Sequence, residues 1–172
     1  ALSSISFSVE KGEFVAIIGP SGCGKTSILS IIAGLLKPSG GKVTLCGEEI
    51  KKGKNSIGYM LQKDELFPWR TIEENAYLPL EVKKLKSADE KKKVNRLLEK
   101  YGLWEFRKKY PSQLSGGMRQ RAALIRTMAS SPDLLLLDEP FSALDYQTRL
   151  SVCDDLYEII KNEKKTTLLV TH

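Results

Sequence analysis

The chain of 172 residues is long enough for one compact domain with a proper core, and 41% hydrophobic with 28% charged residues is ordinary globular composition. No apolar run approaches the roughly 20 residues that span a bilayer, so a membrane role is expected only through a partner. The net charge of +6, much of it in "KKLKSADEKKK" at 83–93, reads either as a solvated helix face or as attraction to lipid headgroups or nucleic acid.

"ISFSVEKGEFVAIIG" (5–19) alternates apolar and polar residues, turns at Lys11-Gly12, then becomes apolar throughout. That pattern predicts a hairpin-like edge strand leading into a buried central strand. The glycine-rich "GPSGCGKT" follows, and "KTSILSIIAGLL" (25–36) has helical spacing up to the stop at Pro38-Ser39-Gly40-Gly41. "KVTLCG" reads as a strand with a glycine turn, and "SIGYMLQ" as another strand. From about Lys63 to Pro132 the pattern is helical. "TIEENAYLPLEV" is one helix, and Ser87 with Glu90 predicts a capping box for the next. In that second helix Val94, Leu97, Leu98 and Tyr101 fall at i, i+3, i+4 and i+7. "GGMRQRAALIRTMAS" continues in helical register. Then "DLLLLDEP" predicts a strand covered on both faces, and "ALDYQTRLSVCDDLYEII" a helix burying Tyr146, Leu150, Cys153, Tyr157 and Ile160. "TTLLVTH" is a last buried strand. Strands alternating with helices imply an α/β fold with a mostly parallel sheet flanked by helices. Its core is expected over 1–62 and 133–172, with an inserted α-helical subdomain over about 63–132.

"GPSGCGKT" matches G-x-x-x-x-G-K-[ST] with Gly19, Gly24, Lys25 and Thr26, between a predicted strand and a predicted helix. Glycines let backbone N–H groups curl around phosphate oxygens, Lys25 adds a cation, and the Thr26 hydroxyl suits Mg²⁺. This is a nucleoside triphosphate site. Asp138 ends the leucine strand, where P-loop ATPases place a Mg²⁺-coordinating carboxylate. Glu139 beside it is either the base that orients the attacking water or a cap for a helix starting near Ala143. Gln62 is either a solvated turn residue or an amide that reaches metal or water. His172, the sole histidine, is either a surface residue or a donor beside a γ-phosphate. Cys23, Cys46 and Cys153 show no C-x-x-C spacing, so no disulfide framework or structural zinc is expected. A second glycine nest, "LSGGMRQR" (114–121), opens the third helix of the insert and poses a puzzle, since one nucleotide hardly needs two.

Taken in order, "GPSGCGKT", "LQ", "LSGGMRQ", "LLLLDEP", "SALD" and the terminal histidine resemble the ATP-binding subunit of an ABC transporter over essentially the whole chain. "LFPWRTIEENAYLPLEV" and "DEPFSALDYQTR" resemble the bacterial nitrate, sulfonate and taurine importer group. The resemblance implies that Gly19, Pro20, Ser21, Gly22, Cys23, Gly24, Lys25, Thr26 and Ser27 hold ATP, and that Thr26, Gln62 and Asp138 serve Mg²⁺. It implies Glu139 as catalytic base and His172 as switch histidine, with Lys25 and Gln62 in the same machinery. Ser115, Gly116 and Gly117 would contact the γ-phosphate of ATP held by a partner subunit, and Asp145 would couple the two sites across a dimer. "ELFPW" would help form a groove for a helix of a transmembrane permease.

The expected function is therefore ATP hydrolysis that powers import of a small solute, anionic solutes included. The implied setting is the cytoplasmic face of the membrane, with a homodimer or paired ATPase, a permease and, indirectly, a substrate-binding protein. A soluble ATPase of the same superfamily acting on DNA or ribosomes is the alternative, and a +6 charge alone supports nucleic-acid binding weakly. Family members also carry an adenine-stacking aromatic upstream and continue past the switch histidine, so a domain trimmed at both ends is expected.

Overall fold

Four consecutive leucines, Leu134 to Leu137, run through the middle of the fold and point alternately to two cores. The structure is a computed structural model that describes residues 4–50, 56–85, 87–142 and 144–172. Residues 1–3 and 51–55 of the expected core, Lys86 in the lysine-rich run and Ala143 of "SALD" lie outside the described residues. The leucines form β5 (Leu134–Asp138), which pairs in parallel with β4 (Ile57–Met60) on one side and β6 (Thr166–Thr171) on the other. β1 (Phe14–Ile18) pairs in parallel with β6, giving the order β1-β6-β5-β4. A separate antiparallel pair, β2 (Thr44–Leu45) and β3 (Glu48–Glu49), closes through Cys46-Gly47, both at positive φ.

Leu134 and Leu136 pack with Leu29 and Ile32 of α1 (Lys25–Ile32), beside Leu168 and Val170. Leu135 and Leu137 face a larger core. It takes residues from α2 (Ile72–Val82), α3 (Ala88–Lys100), α4 (Gly116–Met128) and α5 (Tyr146–Asn162). Burial of each leucine contributes about 2 kcal/mol of transfer free energy, which is why a run without polar alternation sits here. The helical stretch between β4 and β5 packs against the sheet within one continuous cluster that includes Met60, Ile72, Leu98 and Leu124.

Four local expectations are corrected. β1 is not central: it is the edge strand, with Ala16 and Ile18 exposed, and residues 4–10 form no strand beside it. An apolar run reports how its faces are covered, whereas its place in the sheet depends on the crossovers. α1 ends at Ile32, short of Leu36, because Gly34 turns left-handed at φ 71° and leaves Leu35 and Leu36 exposed. The capping box at Ser87 is not formed. The Ser87 hydroxyl accepts from Asp89 N at 3.1 Å, and Glu90 turns to Lys93 instead. A reciprocal box forms at α2, where Thr71 Oγ1 accepts from Glu74 N and Glu74 Oε2 accepts from Thr71 N. The Thr71 N–H holds the Glu74 carboxyl below its usual range. In α5 the buried stripe is Val152, Leu156, Ile159 and Ile160, while Tyr146, Leu150 and Tyr157 are exposed. Both stripes have helical spacing, and only the position of the sheet selects between them.

Candidate active site

The sheet places its chemistry at the C-terminal ends of its parallel strands, the usual place for ligands in such folds. β1 ends at Ile18, and the loop from Gly19 to Gly24 leads directly into α1. Pro20, Ser21, Gly22 and Cys23 are exposed, while Gly19 and Gly24 are partly covered. Gly24 caps the helix at φ 101°, a conformation that suits glycine, and offers no side chain to the first-turn N–H groups. Those amides and the helix dipole therefore face the loop with no capping side chain to compete for them.

Lys25 is 5% exposed, and its Nζ donates to Gly19 O at 2.7 Å and Pro20 O at 3.0 Å. It also lies 3.7 Å from Glu139 Oε1. Thr26 donates to Asp138 Oδ1 at 3.1 Å, and the Tyr59 hydroxyl donates to Asp138 Oδ2 at the same distance. Ser27 sits half-buried on the next position of the helix. Burial first, then the Asp138 charge, pushes the Tyr59 phenol up to about 12, so it stays a donor at any physiological pH.

Glu139 is the meeting point of the site. Its backbone is left-handed at φ 45°, an uncommon state for a non-glycine residue and one associated with functional strain. Glu139 N donates to Val170 O at 3.0 Å, and its carbonyl accepts from both Ser142 N and Ser142 Oγ. This turn ends the strand and leaves the carboxylate over the strand ends. There Oε2 lies 3.4 Å from His172 Nδ1 and 3.5 Å from Gln62 Nε2, a long contact. Lys25, Gln62, Glu139 and His172 are thus brought together from β1–α1, β4, β5 and β6. Hard oxygen donors from Thr26 and Asp138 stand side by side, a donor set that fits Mg²⁺ shared with phosphate oxygens. Among the described residues no cluster of three or more His, Cys, Asp or Glu could hold a metal by itself.

The second glycine nest is elsewhere. Ser115 caps α4, its hydroxyl accepting from Met118 N at 3.3 Å, and Gly116 and Gly117 form the first turn. A Cβ on Gly116 would come within 2.9 Å of Leu144 Cδ2, so any larger residue there would have to push that leucine end aside. Ser115, Gly116, Gly117 and Asp145 line a common cavity of about 520 Å³ with Arg119, Arg121 and Leu144. None of residues 19–27, Gln62, Asp138, Glu139 or His172 lines it. The two nests of one chain do not converge on one nucleotide.

Sequence reasoning missed three sets of residues. Tyr59, with Ser30 beside its phenol, holds Asp138, and a tyrosine hydroxyl in an apolar strand is itself a signal that a partner is needed. Arg119 and Arg126 of α4 clamp the segment after Gln62. Arg119 Nε meets Asp64 Oδ2 at 3.0 Å, while Arg126 donates to Asp64 O and Glu65 O at 2.7 and 2.6 Å. Asn75, fully buried, donates to the Phe67, Arg70 and Thr71 carbonyls and accepts from Phe67 N. It shapes the loop so that Phe67 and Trp69 stack at 5.0 Å between centroids, with Trp69 exposed.

The glycine loop, the lysine and the strand-end carboxylates on a parallel sheet define a P-loop nucleoside triphosphatase fold. A family model described as "ABC transporter" matches residues 2–142, and the chain belongs to that family. It is 54% identical over 172 residues to the uncharacterized ABC transporter ATP-binding protein YtlC of Bacillus subtilis, covering 100% of this chain and 66% of that protein. It is 45% identical over 171 residues to the aliphatic sulfonates import ATP-binding protein SsuB of Bacillus cereus, covering 99% and 67%. A solved structure of the ATP-binding cassette MJ0796, a dimer in a post-hydrolysis state bound to ADP and Pi, matches with TM-score 0.79 and 34% identity. That match covers 99% of this chain and 79% of the other. The chain spans about two thirds of the length of the curated relatives it matches.

Proposed function

We propose that the protein hydrolyses ATP as the motor subunit of a bacterial importer, with two copies closing on two nucleotides. One observation carries the hydrolytic part: the Glu139 carboxylate sits within 3.4 to 3.7 Å of His172, Gln62 and Lys25, beside an uncapped glycine loop. In this reading Lys25 and the amides of residues 19–26 bind the phosphates. Lys25 exchanges its present carbonyl partners for phosphate oxygens, which as charge-assisted bonds are the stronger ones. Thr26 and Asp138, with Gln62, would hold Mg²⁺, whose chemistry is to neutralise charge on the phosphate oxygens. Glu139 accepts the proton of the attacking water, and His172 and Gln62 keep that carboxylate and its water in line. The transition state has little covalent demand, so positioning supplies most of the catalysis.

The separate cavity at Ser115–Gly117 and Asp145 supports a role across a dimer, closing over ATP held by the loop of the other copy. The dimeric state named for the MJ0796 structure supports the same assembly. The stacked Phe67 and Trp69, pinned by Asn75, support docking of a helix from a transmembrane permease. Among the described residues no helix is long and apolar enough to cross a membrane. Attachment at the cytoplasmic face would therefore run through that permease. The names of relatives concerned with aliphatic sulfonates and with sulfate or thiosulfate support a small anionic solute delivered by a substrate-binding protein.

The test is Glu139→Gln. Phosphate release is expected to fall by about 10³-fold, in the range for loss of a general base, with ATP binding retained and a dimer accumulating on size-exclusion chromatography. Turnover near that of the unaltered protein rejects Glu139 as the base.

A further inference from the structure

Tyr59 has no part in the hydrolytic scheme, yet its hydroxyl is one of two groups that hold the Asp138 carboxylate. We propose that Tyr59 is a positioning residue for the divalent-cation site: braced by Ser30, its hydroxyl fixes the rotation of the Asp138 carboxylate and keeps Oδ1 turned toward Thr26. The proposal rests on Asp138 being a cation ligand.

The geometry comes from three elements. In the β4–β5 register Tyr59 lies opposite Leu136, two residues before Asp138, so the two side chains emerge on the same face of the sheet. That face packs on α1, as Leu134 and Leu136 do. On α1 itself, Thr26 and Ser30 are four residues apart and share one stripe. Thr26 takes Oδ1 of Asp138 at 3.1 Å, the Tyr59 phenol takes Oδ2 at 3.1 Å, and Ser30 lies beside that phenol. One carboxylate oxygen is thus tied to the helix that follows the glycine loop and the other to β4. An aspartate terminal torsion is broad and roughly two-fold, so a single donor leaves the carboxylate plane free to swing. A second donor on the other oxygen removes that freedom. Outer groups that orient a ligand in this way typically change metal affinity by about 10 to 100-fold.

Tyr59→Phe removes only the donor and leaves the ring in its place beside Ile57 and the α1-facing core. The experiment titrates the full chain, saturated with ADP, with Mn²⁺ as the probe, and reads free Mn²⁺ by electron paramagnetic resonance. ADP affinity in EDTA is measured alongside. Tyr59→Phe is expected to weaken Mn²⁺ binding by about tenfold with metal-free ADP affinity unchanged. Ser30→Ala, which keeps the phenol, is expected to give a smaller loss in the same direction. Asp138→Asn should abolish the Mn²⁺ site. If Asp138→Asn loses Mn²⁺ while Tyr59→Phe matches the unaltered protein, the role of Tyr59 is overturned and the cation assignment stands. If Asp138→Asn binds Mn²⁺ normally, the cation assignment itself fails. A drop in metal-free ADP affinity equal to the drop for Mn²⁺ would reduce Tyr59 to packing and overturn the proposal. Should Tyr59→Phe not fold, an unchanged Mn²⁺ affinity in Ser30→Ala overturns it.

Discussion

The N-termini of α1 and α4 both carry glycines where a helix begins, yet their caps and neighbours differ. At α1 the cap is Gly24, with no side chain on the first-turn amides, and a buried lysine and a strand-end aspartate stand beside it. At α4 the cap is Ser115, whose hydroxyl already serves Met118 N. The nearby cations are engaged as well: Arg119 bonds Asp64 and the Leu114 carbonyl, and Arg121 lies 3.6 Å from Asp155. The first nest has uncapped amide donors, a buried lysine held by its own loop carbonyls and a neighbouring strand-end carboxylate. The second offers a short glycine turn in an open cavity. A shared backbone motif is thus set in two different surroundings, and in the proposed function it holds an anion in the first and closes over one in the second.

That contrast can be broken at its strongest point with Lys25→Ala. ATP affinity of the single subunit is expected to fall by about 10²-fold, the loss of charged hydrogen bonds worth roughly 3 kcal/mol, as read by isothermal titration calorimetry. Binding at near-normal affinity would mean the first nest does not depend on its cation. Ser115→Arg probes the other side. In a Glu139→Gln background it should weaken ATP-dependent dimerisation by at least about tenfold, since a large cation blocks the cavity at roughly 1.4 kcal/mol or more. ATP binding by the single subunit should stay unchanged. Light scattering measures the first quantity and calorimetry the second, and lost binding in the single subunit would contradict closure in trans. The smallest effect is expected from Arg126→Ala, which releases the segment after Gln62 from α4. Burial lowers the pKa of the Arg126 guanidinium, but its two carbonyl acceptors and nearby Asp64 keep it paired. Water can reach the exposed Glu65 carbonyl, so the cost is about 1 kcal/mol, seen as a lower thermal midpoint with single-subunit ATP affinity unaltered. A large loss of ATP affinity would instead show that the clamp shapes the first nest.

The residues legible in advance were those whose chemistry requires a fixed local spacing. Gly19 to Gly24 had to form a loop between strand and helix, with Lys25 and Thr26 opening the helix, because only that order aims amides at a phosphate. Asp138 and Glu139 were legible because a leucine run buried on both faces must end in a turn at the sheet's rim. Tyr59 and Arg126 were not, because each acts on a partner 61 to 79 residues away. Asn75 was not, because its bonds go to backbone groups whose path the residue spacing does not give. The α5 stripe was misplaced for a related reason. Tyr146, Leu150 and Tyr157 have the right period, but period alone does not say which face meets the sheet.

By itself the sequence determined the alternation of strands and helices, the phosphate loop and the pair of strand-end carboxylates, since these follow from local spacing and apolar runs. Only the tertiary structure decided that β1 lies at the edge and that Glu139 turns left-handed toward Lys25, Gln62 and His172. It also decided that the second glycine nest opens into a cavity apart from the first. The physical reason is common to all three: each is set by which strands pair and by the close packing around them, and neither is written in the spacing of residues along one segment.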